Sequence, residues 1–452
     1  MGVVGDKSRS QPVEVLVELL ARAKRKGASA AEAVMVHGAS MSVTYRLGKR
    51  ENLNRAEGRD IGLRVFVGKQ QAMVATTDTS PAALETLLDR ALAMAKAAPE
   101  DPYCGLVEPE LLATSTPDLD MLDSHEPTGD ELYERAAEAE DAARAVPGIT
   151  NSDGAGAGWR QGEVFLITSD GFAGGYKSSS FSASVSVVGG SGTGMETDHA
   201  SNRARHVRDL RPSKDIGAEA GERAVRRLNP RKVETGSLPV VFEPRVSNSM
   251  IGHLASAING ASIARGTSFL RNEMGKDVFA PGIRIIDDPL RKRGLASRPF
   301  DGEGVACKRM ALIDNGVLTT WLLSSAPARQ LGLKTTGHAA RGIAGAPSPS
   351  ASNLYMEAGT LTPEELMADI KLGVYITDLI GFGVNGVTGD YSRGAAGFLI
   401  ENGKLGPAIS EFTIAGNLKD MFKRITPAND LKFRYGADAP TLRLDGMTVA
   451  GK

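Results

Sequence analysis

From Ser180 to Val187 the chain alternates without a break: Ser180, Ser182, Ser184 and Ser186 take one side, Phe181, Ala183, Val185 and Val187 the other. A period of two belongs to a strand with one face in a core, and a slip of one residue would turn every apolar side chain outward. This stretch therefore commits its surroundings to a two-faced sheet. Residues 163–168 and the turn Ser169-Asp170-Gly171 supply a hairpin partner. The apolar face must be dry; the serine face is open to water or to a paired peptide. Helices are available to cover the dry side. Val13, Leu16, Val17 and Leu20 mark a first helix stopping at Gly27, Ser80-Pro81 opens a second with Leu84, Leu87, Leu88, Ala91 and Leu92 along one side, and 130–146 and 213–228 read as two more. Residues 33–47 read as strands around a turn at His37-Gly38, and 61–67 with 70–76 as a hairpin about Gly68-Lys69. The Pro- and Asp-rich, aperiodic stretch 99–127 predicts a surface connection with freedom to move.

The pattern changes near Asn229-Pro230, so we place an N-terminal α/β domain at 1–230 and a C-terminal β-rich domain at 231–452, an α+β chain overall. The second half offers short apolar runs at 239–242, 283–287, 304–313, 317–323 and 374–380, all read as strands. Thr362-Pro363-Glu364-Glu365 is a capping box that predicts a helix over 362–372.

A net charge of -1 gives no overall attraction to nucleic acid or to an anionic membrane. Cys104 and Cys307 are too few for a disulfide framework and neither has a second cysteine at ligand spacing. No apolar run is long enough to cross a bilayer, the start MGVVGDKSRSQ lacks a signal core, and Asp6 breaks the myristoylation pattern, so the expectation is a cytoplasmic protein.

Met250, Leu254 and Ile258 recur at helical spacing, placing a helix from Ser247 or Ser249 to Asn259 with Gly260 as its stop and His253 inside it. A zinc hydrolase helix needs a second imidazole and a carboxylate to take the proton of the metal-bound water. The neighbour of His253 is Leu254, and Ala257 and Ile258 occupy the second-ligand spacings; none of the three can bind a metal or accept a proton. A packed histidine is the expectation. Gly381, Gly383 and Gly386 spell a dinucleotide fingerprint, but the following residues are strand-like, so these glycines are read as close backbone approach or positive φ. Asp390, Tyr391, Ser392, Arg393 and Gly394 gather an acid, a phenol, a hydroxyl and a guanidinium; they are either a substrate-binding loop or a loop in which Asp390 and Arg393 pair. Asp301-Gly302-Glu303-Gly304 reads as a turn rather than a metal loop.

The runs TGDYSRGAAGFLIENGKL (388–405), SEFTIAGNLKDMF (410–422), GLASRPFDGEGV (294–305) and LLSSAPARQLGLKTTGHA (322–339) closely resemble the PmbA/TldE branch of the TldD/PmbA family, with a looser match through GLRVFVGKQQAMVATTD in the first half. The resemblance implies an N-terminal α/β domain followed by a largely β, barrel-like domain with a few helices. TldD members of the family carry HExxxH plus a distal Cys as zinc ligands and act as peptidases. Aligned on 266–269, His253 matches the first histidine, Leu254 replaces the glutamate, Ile258 replaces the second histidine, and 429–439 holds no cysteine. The resemblance thus implies a chain without its own zinc or other cofactor, paired as a heterodimer with a zinc-bearing TldD-like metalloprotease subunit and acting on extended, unfolded or modified peptides, with no nucleic acid or membrane partner. Two other readings remain open: a self-contained metallopeptidase in which His253 and distant carboxylates hold a metal, and a homodimeric peptide-binding scaffold.

Overall fold

A computed structural model describes residues 10–452; residues 1–9, most of the stretch read for a signal core and including Asp6, lie outside them. Six antiparallel strands, β1 (Ala30–Arg46), β2 (Lys49–Val67), β3 (Gln70–Thr76), β4 (Ile149–Thr168), β5 (Ala173–Gly189) and β6 (Glu196–Ala204), form one sheet in the order β3-β2-β1-β4-β5-β6. The alternation at 180–187 holds in register: Phe181, Ala183, Val185 and Val187 are buried, and Ser182 lies opposite Gly158 and Ser184 opposite Gly156. The expected turn at His37-Gly38 is absent, because both residues stay in ladder with Arg59 and Gly58 on one side and Glu163 and Gly162 on the other, and β1 runs through as a single long strand.

All four helices of this half cover the same sheet face. α1 (Ser10–Arg25) and α2 (Pro81–Ala97) pack on Ala31, Ala33, Ile61, Leu63 and Val65, whereas α3 (Gly129–Arg144) and α4 (Ser213–Arg226) pack on Met41, Val43, Trp159 and Phe181. Side chains of one parity on β1 thus serve both cores. Residues of the other parity, Val34 and Leu166, bury against Phe172 and Phe300, which brings the C-terminal half onto the opposite face.

In that half, β7 (Gly236–Phe242) leads into α5 (Pro244–Ala257) and α6 (Gly260–Ala264). A small sheet follows, built from β8 (Ile285–Asp287), β9 (Met310–Asp314) and β10 (Val317–Leu318), with α7 (Ser325–Gln330) after it and the bridge pair β11 (Ala339–Ala340) and β12 (Ser348–Pro349). β13 (Leu354–Met356) joins the small sheet, α8 (Pro363–Met367) intervenes, and β14 (Leu372–Ile380), β15 (Asp390–Glu401), β16 (Lys404–Asn417), α9 (Leu418–Phe422), β17 (Ile425–Pro427), β18 (Ala437–Asp438) and β19 (Leu442–Ala450) complete the chain. The order β16-β15-β14-β7-β19, with β16 pairing back to β19, closes a five-stranded barrel. The α+β reading with a barrel-like second half is the architecture found.

Several expected bounds shift for local reasons. The capping box of Thr362 and Glu365 forms, yet its helix is only five residues long because Leu372 is already the first residue of a barrel strand. Only 310–314 of the run 304–313 is strand, since Val305 and Ala306 make isolated bridges to Leu112 and Phe300 instead. The connection 99–127 is a fixed strap: Cys104, Val107, Leu119 and Met121 are buried, Ala113 donates to the Gly304 carbonyl at 2.9 Å, and Asp120 pairs with Arg293 at 2.6 Å. Two buried ion networks join the halves. Glu32 takes Arg64 at 3.0 Å and Arg341 at 2.8 Å, and Asp198 takes Arg245 at 2.6 Å and Arg227 at 3.5 Å.

Candidate functional site

The site is built on α5. Pro244 fits the first turn, where its missing N–H is no loss, and Met250, Ile251, Leu254 and Ala257 face the C-terminal core with Phe242, Val374 and Ile376. The helix ends at Ala257, not at Asn259. Ile258 is its C-cap, and Asn259 starts α6 by accepting the N–H groups of Ala261 and Ser262 at 3.0 and 3.4 Å. Gly260 is therefore not a helix stop; a Cβ there would come within 2.7 Å of the Leu322 carbonyl oxygen, so glycine is needed for close approach. Leu254 and Ile258 are both 0% exposed.

His253 lies beside β15. Its Nε2 is buried without a hydrogen-bond partner, and its ring meets that of Tyr391 edge to face, centroids 5.8 Å apart and planes inclined by 74°. The Tyr391 hydroxyl is likewise buried and unpartnered. Burial, and secondarily the positive charge of Arg393, push His253 down to about 4, so it is neutral at neutral pH, while burial raises the Tyr391 phenol above its ordinary value.

The expected loop at Asp390, Tyr391, Ser392, Arg393 and Gly394 is instead the start of β15, paired residue by residue with 413–417. Strand alternation separates the five: Tyr391 and Arg393 turn toward His253, and Asp390 and Ser392 are exposed on the other side. Asp390 and Arg393 do not pair. Asp390 accepts Thr388 Oγ1 at 2.6 Å and Asn417 Nδ2 at 3.1 Å, which hold its carboxyl below the usual range, and Arg393 donates to the carbonyls of Ile380 and Leu379, each at 3.3 Å. The glycine-rich turn before them folds back over this strand: Gly381 has φ +82°, and a Cβ on Gly383 would stand 1.7 Å from the Ser392 carbonyl oxygen. Gly381 thus supplies positive φ and Gly383 close approach, whereas Gly386 has neither, and a strand rather than a helix follows the turn.

The distal segment 429–439 reaches α5 at its end, where Ser247 Oγ donates to the Pro440 carbonyl at 2.8 Å and lies 3.4 Å from that of Ala439. It carries a buried carboxylate, Asp438, that accepts the N–H groups of Arg434 and Tyr435 at 2.8 and 2.9 Å, and it has no thiol.

Two buried polar clusters lie elsewhere, and the members of the first are too far apart in the chain for motif reading to join them. Asp287 accepts from the Ser352 hydroxyl at 2.6 Å and lies 3.2 Å from His338 Nε2. The serine bonds the acid and not the imidazole, so this is no nucleophile and base. Asp301 closes the expected turn by accepting Glu303, Val305 and Ala339 N–H groups, each at 2.9 Å. Glu303 accepts the Ser325 N–H at 2.8 Å and its hydroxyl, and burial plus the neighbouring Asp301 push it up to about 7. Among the described residues, no three His, Cys, Asp or Glu side chains gather where they could hold a metal.

Family sequence profiles match nearly the whole chain: PmbA/TldA metallopeptidase domain 1 at 31–95, the central domain at 123–228 and the C-terminal domain at 235–451. The chain is 38% identical to "Metalloprotease PmbA" of Escherichia coli over 96% of its length and 94% of that protein, and 34% identical to a PmbA homolog of Haemophilus influenzae over 98% and 97%. Its structure is similar to a putative modulator of DNA gyrase from Bacteroides thetaiotaomicron, with a TM-score of 0.90 at 27% identity over 98% of this chain and 99% of that one. TldE from Thermococcus kodakarensis shares the fold, with a TM-score of 0.87 at 19% identity over 97% and 100%.

A metal implied by such names does not fit α5. One neutral imidazole nitrogen faces a phenol, the next two positions of the motif present alkyl groups, and Arg393 adds a positive charge that a divalent ion would have to approach.

Proposed function

This chain belongs to the PmbA/TldD metallopeptidase family, and from that premise we propose that it is the TldE-type, zinc-free subunit of a cytoplasmic two-chain metalloprotease acting on unfolded or modified peptides. The zinc and the general base belong, in this reading, to a TldD-like partner. The observation that carries it is the full burial of Leu254 and Ile258 in the α5 core, where aliphatic side chains have replaced the groups that hydrolysis requires.

The part of the N-terminal sheet's second face that the C-terminal half leaves uncovered supports a role in enclosing an extended peptide. Ser40 and Ser180 flank Arg160, Ser42 and Ser182 flank Gly158, and Thr44 and Ser184 flank Gly156, giving three adjacent strands with short polar side chains and room for a backbone to approach. The exposed residues Asp390 and Ser392, with Tyr391, Arg393 and Gly394 behind them, are the proposed peptide contacts of the C-terminal half. Among the described residues, no helix is long and apolar enough to cross a membrane. The test is degradation of an unstructured peptide by the chain alone and after mixing with an HExxxH-bearing relative from the same cell. Activity only in the mixture supports the reading, and equal activity of the chain alone removes it.

A further inference from the structure

Where the end of β6 meets two loops of the C-terminal half, a cavity of about 210 Å³ opens on a concentration of positive charge. Arg203 and Arg205 come from β6 and the residue after it, Arg291, Lys292 and Arg293 from the loop after β8, and Arg434 from the distal segment. Three separate stretches of a chain with net charge -1 thus send six cations to one concave place.

Their pairing is uneven. Arg293 is neutralised twice, by Asp120 at 2.6 Å and Asp209 at 2.8 Å. Among the described residues no carboxylate lies within ion-pair distance of the other five. Arg205 donates to the carbonyls of Ser179, Gly294 and Leu295, which orients its guanidinium without cancelling its charge. Arg291 lies over the Phe433 ring, 3.5 Å from its centroid, which fixes the plane of its fork. The remaining acid of the lining, Asp438, accepts backbone N–H groups of 434–436, and with Asp288 it offsets part of the charge of Arg291 without forming an ion pair. Burial lowers both Arg205 and Arg291 from their ordinary values, with the charge of Arg203 adding to the effect on Arg205.

A solvated charged surface disperses like charges or interleaves them with acids. Here they converge, and planar guanidinium forks are held by stacking and by carbonyls. Carboxylates carry one charge, whereas a phosphoryl group offers two charges and three oxygens to several forks at once. We propose that this cavity binds a phosphate-class oxyanion, which bridges the N-terminal sheet and the distal segment of the C-terminal half. The site is separate from α5 and does not depend on the proteolytic reading.

Calorimetric titration of the full chain with inorganic phosphate, pyrophosphate and a phosphoserine peptide, beside the same peptide unphosphorylated, tests the site. Saturable one-site binding is expected, together with a higher melting temperature when the anion is present, since a ligand that binds only the folded state stabilises it. Arg203→Gln with Lys292→Gln, two exposed residues without ion pairs, is expected to weaken binding about tenfold or more while leaving the unliganded melting temperature unchanged. Arg291→Lys, which keeps the charge and loses the fork, is expected to weaken it as well. Tightest binding of the phosphopeptide would assign the phosphoryl group to a peptide, and tightest binding of pyrophosphate or phosphate to a free anion. Absence of saturable binding by all three phosphorylated probes at millimolar concentration, or equal affinity in the folded Arg203→Gln/Lys292→Gln protein, overturns the proposal.

Discussion

Ile258 donates its backbone N–H to the Leu254 carbonyl at 2.9 Å and then leaves the helix. An i, i+5 pair within a regular helix points in divergent directions, so a bulge would be needed for both positions to face one ion. In this fold the later position sits at the cap, where the chain turns from α5 into α6. Leu254 and Ile258 both lie in the core and offer no atom that could hold a metal ion.

His253→Phe is expected to leave the fold intact or to stabilise it. The imidazole Nε2 has no partner, and an unsatisfied buried polar atom costs about 1–3 kcal/mol, which an apolar ring set edge to face with Tyr391 does not incur. Urea denaturation at pH 7.5 (a value well above the unperturbed histidine range) measures the difference. A loss of stability would show that the nitrogen has a partner.

The same pair of proteins should diverge with pH. The folded-state value of about 4 for His253 lies below its unfolded value near 6.5, so the unfolded chain binds the proton first. The contribution of neutral His253 is complete above the unfolded value and is lost as pH falls from about 6.5 toward about 4. The stability of wild type relative to His253→Phe should be flat in the neutral range and decline across that window. Denaturation midpoints of both proteins through the window check it, and parallel curves would contradict it.

Glu32 neutralises Arg64 and Arg341 in a place where all three are nearly excluded from water. Glu32→Ala leaves two buried guanidinium groups without an acid, an expected loss of about 3–5 kcal/mol. Since Arg341 belongs to the C-terminal half, earlier proteolysis between the halves should accompany the loss of stability. Wild-type melting behaviour would show that water reaches these groups.

Gly383→Ala forces a methyl group into the Ser392 carbonyl. Overpacking of this kind costs about 1–3 kcal/mol and should displace the turn 381–389 from β15. A melting scan reads the cost, and faster amide exchange at Ser392, which donates to the Gly383 carbonyl at 2.7 Å, reads the displacement.

How much of this was legible in the sequence depended on whether local chemistry or distant contacts decided each element. The alternation at 180–187, the hairpin turn at 169–171 and the capping box of Thr362 and Glu365 are local devices, and each is present. Val17 was read into the buried face of α1 but is 50% exposed, because the helix docks through Leu16, Leu19, Leu20 and Ala23. The run through His37 and Gly38 was read as a turn, although ladders on both sides keep it extended. Strap 99–127 has no periodicity, and its order comes from Gly304, Ser179 and Arg293, residues far along the chain. At the site, the aliphatic side chains at 254 and 258 were plain from the sequence, whereas the contact of His253 with Tyr391 was not. Nothing in the 137 intervening positions signals that the two rings meet; the packing of α5 against the barrel brings them together.

The central claim concerns metal, and elemental analysis of the purified chain tests it most directly. Zinc well below one atom per chain, unchanged by His253→Ala, is the predicted result. About one tightly held zinc per chain that disappears in His253→Ala would contradict the account, since it would require ligands at α5 that Leu254 and Ile258 cannot be.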